Sequence, residues 1–255
     1  EGGTAALAVA SGHAAEFLVF HTLLQPGDEF IAAKKLYGGS INQFNHSYKS
    51  FDWRVKWADT DDLSTFEAAI TPKTKAIFIE SIANPGGVIT DIAAIAAIAK
   101  KANVPLIVDN TLATPYLVKP FEHGANIVVH SATKFLGGHG NSIAGLIVDG
   151  GNFDYVKSGK YPLLSTPRPE YNGMVIGETF GNFAFAIACR VLPESRYEMS
   201  PSFFHYLYTR HIMSRVFNAL VRLVLLREVR DTQAGLKGFT AAAVETVFPR
   251  VTIPR

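Results

Sequence analysis

The run Val128-Val129-His130 leads directly into Ser131-Ala132-Thr133-Lys134, and Gly137-Gly138-His139-Gly140 follows at once. The apolar start reads as a buried strand, the small hydroxyl residues as a turn, and the glycines as a loop. A lysine in that setting fits an amine held in a partly desolvated pocket, where lost hydration makes its neutral, nucleophilic form accessible. The alternative is a solvated loop lysine. A second apolar run, Pro105-Leu106-Ile107-Val108, ends in Asp109-Asn110-Thr111. Parallel α/β sheets place ligands beyond the carboxyl ends of their strands, so Asp109 and Lys134 are expected to face one crevice.

The rest of the first 180 residues repeats strand and helix. Residues 4–24 read as a helix preceded by a small-residue turn, with Ala10-Ser11-Gly12-His13 near its beginning. A helix N-terminus of this kind suits a phosphate. Strands are expected over residues 28–33, 54–57 and 74–81, and a return strand over 142–148. An amphipathic helix is expected over 62–70, and an alanine-rich helix capped by Asp91 runs through Lys101. Residues 161–171 read as a proline-rich loop. Alternation of this kind predicts an α/β fold with a mostly parallel sheet covered by helices on both faces.

An acid and a reactive lysine at neighbouring strand ends match what pyridoxal phosphate requires: an amine for its aldehyde, and an acid that keeps the pyridine nitrogen protonated. The motifs Ser131-Ala132-Thr133-Lys134, Gly137-Gly138-His139-Gly140 and Val108-Asp109-Asn110-Thr111 resemble the Cys/Met-metabolism family of pyridoxal-phosphate enzymes. Tyr37-Gly38-Gly39-Ser40 and Ile147-Val148-Asp149-Gly150-Gly151-Asn152-Phe153 are most similar to its O-acetylhomoserine sulfhydrylases. The resemblance covers roughly residues 1–183. It implies an aspartate-aminotransferase-like large domain, truncated, over residues 1–186. It also implies γ-replacement on O-acetylhomoserine by sulfide or a thiol, with cystathionine γ-synthase or γ-lyase chemistry as the alternative.

Carried onto this chain, the family pattern assigns catalysis to Lys134, Asp109 and Tyr37, with the tyrosine ring lying on the cofactor. Cofactor contacts fall to Ser11, Gly12, His13, Tyr37, Asn84, Asp109, Ser131, Thr133 and Lys134. His13 departs from the glutamine or methionine usual there; its backbone amide serves equally well, and its side chain is expected only to pack. Glu80 is expected to make structural hydrogen bonds to its loop. Arg168 gives no reason to be aimed inward. A complete family member is expected to act on a small amino acid as a homo-oligomer. It draws phosphate contacts from a neighbouring subunit and a carboxylate-binding arginine from a C-terminal domain, so this chain is expected to be a fragment. No metal and no nucleic acid are implied.

Beyond residue 186 the composition changes. Residues 1–186 hold 12 Lys and 2 Arg against 17 acids, whereas residues 187–255 hold 1 Lys and 9 Arg against 5 acids. This predicts a junction and a second, mainly helical segment, 187–255. Arg230-Asp231-Thr232-Gln233-Ala234-Gly235-Leu236-Lys237-Gly238-Phe239 and the helix pattern before it resemble the acceptor half of dolichol-phosphate mannosyltransferase-like glycosyltransferases. The nucleotide-sugar half of such enzymes, with its paired metal-binding aspartates, is expected to be absent, with no Asp-x-Asp anywhere in the chain, which argues for an inactive hybrid or fragment in that part. Arginines at 215, 222 and 227 make a membrane span over 212–229 unfavourable, at roughly 2.5–3.5 kcal/mol each near the bilayer centre. One cysteine, Cys189, excludes an internal disulfide and suits a reducing, cytoplasmic setting.

Overall fold

The computed structural model describes residues 1–182, residue 184 and the strand Lys237–Thr240. The chain divides into two compact units, Glu1–Ala186 with Gly238–Ala241, and Ile187–Lys237 with Ala242–Arg255. Apart from that strand, the second segment expected over residues 187–255, with the glycosyltransferase resemblance and the helix expected over 212–229, lies outside the described residues.

Within the first unit the order is β1 (Ala5–Val9), α1 (Gly12–Leu23), β2 (Glu29–Ala33), α2 (Gly38–Asn45), β3 (Arg54–Ala58), α3 (Ser64–Ala69), β4 (Thr74–Glu80), α4 (Ile92–Lys101), β5 (Leu106–Asp109), α5 (Thr114–Leu117), β6 (Ile127–His130) and β7 (Gly145–Asp149). With β8 (Lys237–Thr240) they form an eight-stranded sheet ordered β3-β2-β4-β5-β6-β7-β1-β8. The pairs from β3 through β6 are parallel, and β7 runs antiparallel to both β6 and β1. This is the mostly parallel α/β sheet that the strand-helix alternation predicts.

The register decides which side chains share a face. Phe78 lies opposite Ile107 and Glu80 opposite Asp109, so alternation puts Phe78, Glu80 and Asp109 on one side of the sheet. Phe20 of α1 packs at 4.3 Å from Phe30 and 5.9 Å from Phe78, ring centroid to centroid, and Phe44 of α2 lies 5.2 Å from Phe78. Glu80 and Asp109 therefore project beneath α1 and α2. The residues of opposite parity on these strands, Ile77, Ile79 and Val108, are fully buried on the other face. Burial of these aliphatic and aromatic side chains, about 1.5–3 kcal/mol each, is the main favourable term holding the sheet to its helices.

Four expectations are corrected. Residues 5–9 are a strand rather than the start of a helix, because Ala5–Val9 pairs residue for residue with Gly145–Asp149. The return strand begins at Gly145, not at residue 142. The proline-rich segment contains short helical turns, Pro162–Ser165 and Pro169–Tyr171, each with proline in its first turn, where its missing N–H costs nothing. An Asp-x-Asp does occur, at Asp59-Thr60-Asp61, in the turn between β3 and α3. There Asp59 accepts from the Asp61 amide and Asp61 pairs with Lys35. Among the described residues no group of His, Cys, Asp and Glu could hold a metal ion, and no helix is long and apolar enough to cross a membrane.

Candidate active site

A cleft of about 560 Å³ opens at the carboxyl ends of the parallel strands, lined in part by Tyr37, Asn84, Asp109, Ser131, Thr133 and Lys134. Strands β4, β5 and β6 deliver Asn84, Asp109 and the Ser131–Lys134 turn to it, and Tyr37 enters from the loop after β2. Ser11, Gly12 and His13 are not part of that lining, but they stand beside it. A Cβ placed on Gly12 would sit 2.7 Å from Ser131 Cβ and 3.0 Å from its Cα, so the first turn of α1 touches the Ser131 turn directly. Only glycine permits that approach. Ser11 caps the helix by accepting from the Ala14 amide at 3.1 Å. The remaining first-turn amides of a 12-residue helix face outward from its end.

Hydrogen bonds fix the strand ends relative to one another. Thr111 donates its amide to Asp109 Oδ1 at 2.8 Å and accepts from the Ser131 amide at 2.7 Å, joining β5 to the lysine turn. Glu80 accepts from the Tyr37 amide at 2.6 Å and from the Asn84 amide at 2.9 Å, so one carboxylate ties two walls of the cleft together. That is the structural role the sequence assigns it. Thr133 Oγ1 donates to the Ala144 carbonyl at 3.2 Å and accepts from its amide at 3.1 Å, closing the base of the 134–143 loop. On the far face, Glu1 accepts from Asn110 Nδ2 at 2.9 Å and meets His130 Nε2 at 2.8 Å.

Lys134 departs from expectation. It is exposed, as are all residues from 134 to 143, rather than desolvated. The apolar strand ends at His130, and among the described residues nothing packs over the loop that follows. Tyr37 is also nearly half exposed, at 46 %. Its ring stacks on His13, with centroids 5.9 Å apart and planes inclined by 26°. A Cβ on Gly39 would meet both rings, at 2.4 and 2.8 Å, so the glycine makes room for the pair. The His13 side chain thus packs, as expected, and its packing partner is the tyrosine of the site.

The floor of the site is acidic. Burial pushes the Asp109 carboxyl up from its ordinary value, opposed by the Thr111 hydrogen bonds and then by His130 and His13. Burial also raises Glu80 to about 7, opposed by the Tyr37 amide and raised further by Asp109. A third carboxyl, Glu16 of α1, is 3 % exposed, and burial and then Asp109 raise it well above the usual range. Sequence reasoning missed Glu16 and Thr111. A lone acid within an otherwise apolar helix, and a hydroxyl two residues after a strand-end aspartate, were the available signals.

This donor set suits pyridoxal phosphate. It combines a helix N-terminus and a hydroxyl for a phosphate, a half-buried carboxyl for a ring nitrogen, an aromatic ring for a flat face, and an amine for an aldehyde. The family model described as Cys/Met metabolism PLP-dependent enzyme matches residues 1–183. The chain is 45% identical over 183 residues to an O-acetyl-L-homoserine sulfhydrylase of Leptospira meyeri, covering 72% of this chain and 41% of that protein. It is 47% identical over 193 residues to O-acetyl-L-homoserine sulfhydrylase 1 of Thermus thermophilus, covering 75% and 46%. The fold superposes with a TM-score of 0.67, at 38% identity, on a Campylobacter jejuni structure assigned as an O-acetylhomoserine (thiol)-lyase. That structure carries N'-pyridoxyl-lysine-5'-monophosphate, and the match covers 69% of this chain and 44% of that one. The chain spans less than half the length of these relatives.

Proposed function

The chain belongs to the Cys/Met metabolism family of pyridoxal-phosphate-dependent enzymes, and on that premise we propose that it carries the cofactor-binding part of an O-acetylhomoserine sulfhydrylase. The reaction is γ-replacement: sulfide or a thiol takes the place of acetate, giving homocysteine or methionine. Relatives named for that activity support the choice of substrate. The observation that carries the reading is structural. Six candidate residues from the ends of β4, β5 and β6 and from the loop after β2 surround one cleft, with the half-buried Asp109 and the buried Glu80 both in its lining.

Bound pyridoxal phosphate supplies an aldehyde for amines and a ring that draws electrons from the substrate. The first turn of α1, at Ser11, Gly12 and His13, would hold the phosphate together with the Ser131 hydroxyl, for which no protein partner occurs among the described residues. Thr133, whose hydroxyl is engaged with Ala144, shapes this pocket. Asp109 would hold the ring nitrogen and keep a proton on it. Tyr37 would offer its ring as an aromatic surface, and Asn84 would hold polar groups of cofactor or substrate. The Lys134 amine would be the group that holds the aldehyde and that carries protons to and from the substrate Cα. Its exposure leaves it open to an incoming amino acid.

The family member is read as a cytoplasmic homo-oligomer. Residues 187–255 are read as a separate, glycosyltransferase-like segment joined near residue 186. Supporting that boundary are the end of the family match at residue 183 and the switch from lysine to arginine. Titrating the chain with pyridoxal phosphate, followed by absorbance and tryptophan fluorescence, tests the cofactor reading. Saturable binding that Asp109→Asn weakens at least tenfold is expected. Binding that is absent, or unchanged in the variant, overturns it.

A further inference from the structure

Glu16 is a buried acid that the chemistry above leaves unused. Its Oε1 accepts from Ser40 Oγ at 2.7 Å, while Oε2 is out of contact with solvent and has no hydrogen-bond partner among the described residues. The groups around it offer no compensating charge. Asp109 from β5 and Glu80 from β4 face it and are both acidic. Tyr48, from the turn Ser47–Phe51, faces it with a buried hydroxyl that also lacks a partner. Ser40 of α2 contributes only a neutral hydroxyl. On its own helix, His13 acts on Asp109. An ionised Glu16 would leave one carboxylate oxygen bare, in a dry site, beside two other acids. That costs far more than an unpaired neutral O–H.

We propose that Glu16 is a positioning residue for the cofactor site: it stands as a neutral carboxylic acid and so leaves Asp109 as the carboxylate available to a cationic ring nitrogen. Two like-charged carboxyls sharing a site do not ionise together; the one with fewer donors keeps the proton. Asp109 accepts the Thr111 amide and is drawn toward ionisation by His130 and His13, whereas Glu16 has one serine hydroxyl. The asymmetry of donors thus assigns the proton to Glu16 and the charge to Asp109. Glu80 has two backbone amide donors of its own. This inference rests on the cofactor reading only for its consequence, since the location of the proton is a property of the free chain.

The test uses the 255-residue chain labelled with ¹³C at the glutamate side-chain carboxyls, without cofactor. At pH 8, where Glu80 is largely ionised, one glutamate signal is expected to remain at the protonated position and to vanish in Glu16→Gln. A wild-type spectrum with every glutamate ionised at pH 8 overturns the proposal. So does a protonated signal that persists in Glu16→Gln. A second arm measures pyridoxal phosphate affinity. Glu16→Gln, a neutral donor of the same shape, is expected within threefold of wild type, against at least a tenfold loss for Asp109→Asn. An equal loss in both variants would make Glu16 the charged partner and refute the assignment. If no variant and no wild-type chain binds the cofactor, the proposed function fails while the carboxyl titration still decides the proton.

Discussion

Replacing Gly12 with alanine tests the contact on which the phosphate end of the site depends. The new Cβ would lie 2.7 Å from Ser131 Cβ, 3.0 Å from Ser131 Cα and 3.2 Å from Ser131 Oγ. Carbon atoms in contact sit about 3.5–4.0 Å apart, so α1 and the Ser131 turn must separate by about 0.8 Å or more. One of the clashing atoms is backbone, so no rotamer change relieves it. Overpacking of this kind costs about 1–3 kcal/mol. The gain in helix propensity on leaving glycine offsets at most about 1 kcal/mol of that. A net loss of about 1–2 kcal/mol corresponds to a fall in Tm of roughly 2–8 °C for a domain of this size. Cofactor affinity should fall by tenfold or more, because the displaced turn carries the amides proposed to hold the phosphate. Gly38→Ala is the control, since a Cβ there meets nothing within 4 Å. Thermal unfolding by circular dichroism and pyridoxal phosphate titration read both effects. A Gly12→Ala chain that matches the control in Tm and in affinity would show that α1 does not abut the Ser131 turn.

Glu80 titrates near 7 in the folded chain against an ordinary 4.5, so the fold favours its neutral form. Its contribution is full below about 4.5 and is lost as pH rises to 7, a change of about 3 kcal/mol at most. Glu80→Gln fixes the neutral state, so urea unfolding at pH 5 and pH 8 should show a smaller loss of stability in the variant; parallel losses would contradict this. Thr133→Val keeps the shape but removes both bonds to Ala144, and should cost about 1–2 kcal/mol and speed hydrogen exchange at the Ala144 amide. Unchanged exchange would show that the 134–143 loop is closed by other means. Limited trypsin digestion should leave a stable core ending near residue 186, whereas protection through Arg255 would contradict the junction.

The strands whose burial is nearly complete were legible because an unbroken apolar run has few other fates: β4, β5 and β6 each declared themselves, and Asp91 marked the start of α4. The alternation of these units then fixed the parallel sheet and the end of it where a site must lie. Strand β1 was not legible. Ala5-Ala6-Leu7-Ala8-Val9 carries helix-favouring alanine, and its strand conformation comes from pairing with β7, some 140 residues away. Lys134 was placed correctly on its turn, but a local pattern carries no information about what covers it. Glu16 showed itself in the sequence only as a lone acid in an otherwise apolar helix, and it is the packing of α1 and α2 over β4 and β5 that buries it beside Asp109.

The central claim is that Lys134 is the lysine that holds the cofactor. Borohydride reduction of the chain saturated with pyridoxal phosphate fixes the cofactor on that residue, and proteolysis with mass spectrometry locates it. The peptide carrying Thr133-Lys134-Phe135 is expected to bear the label, in a chain with 13 lysines, and Lys134→Ala is expected to abolish labelling. A label on any other lysine, or one that survives Lys134→Ala, would contradict the account.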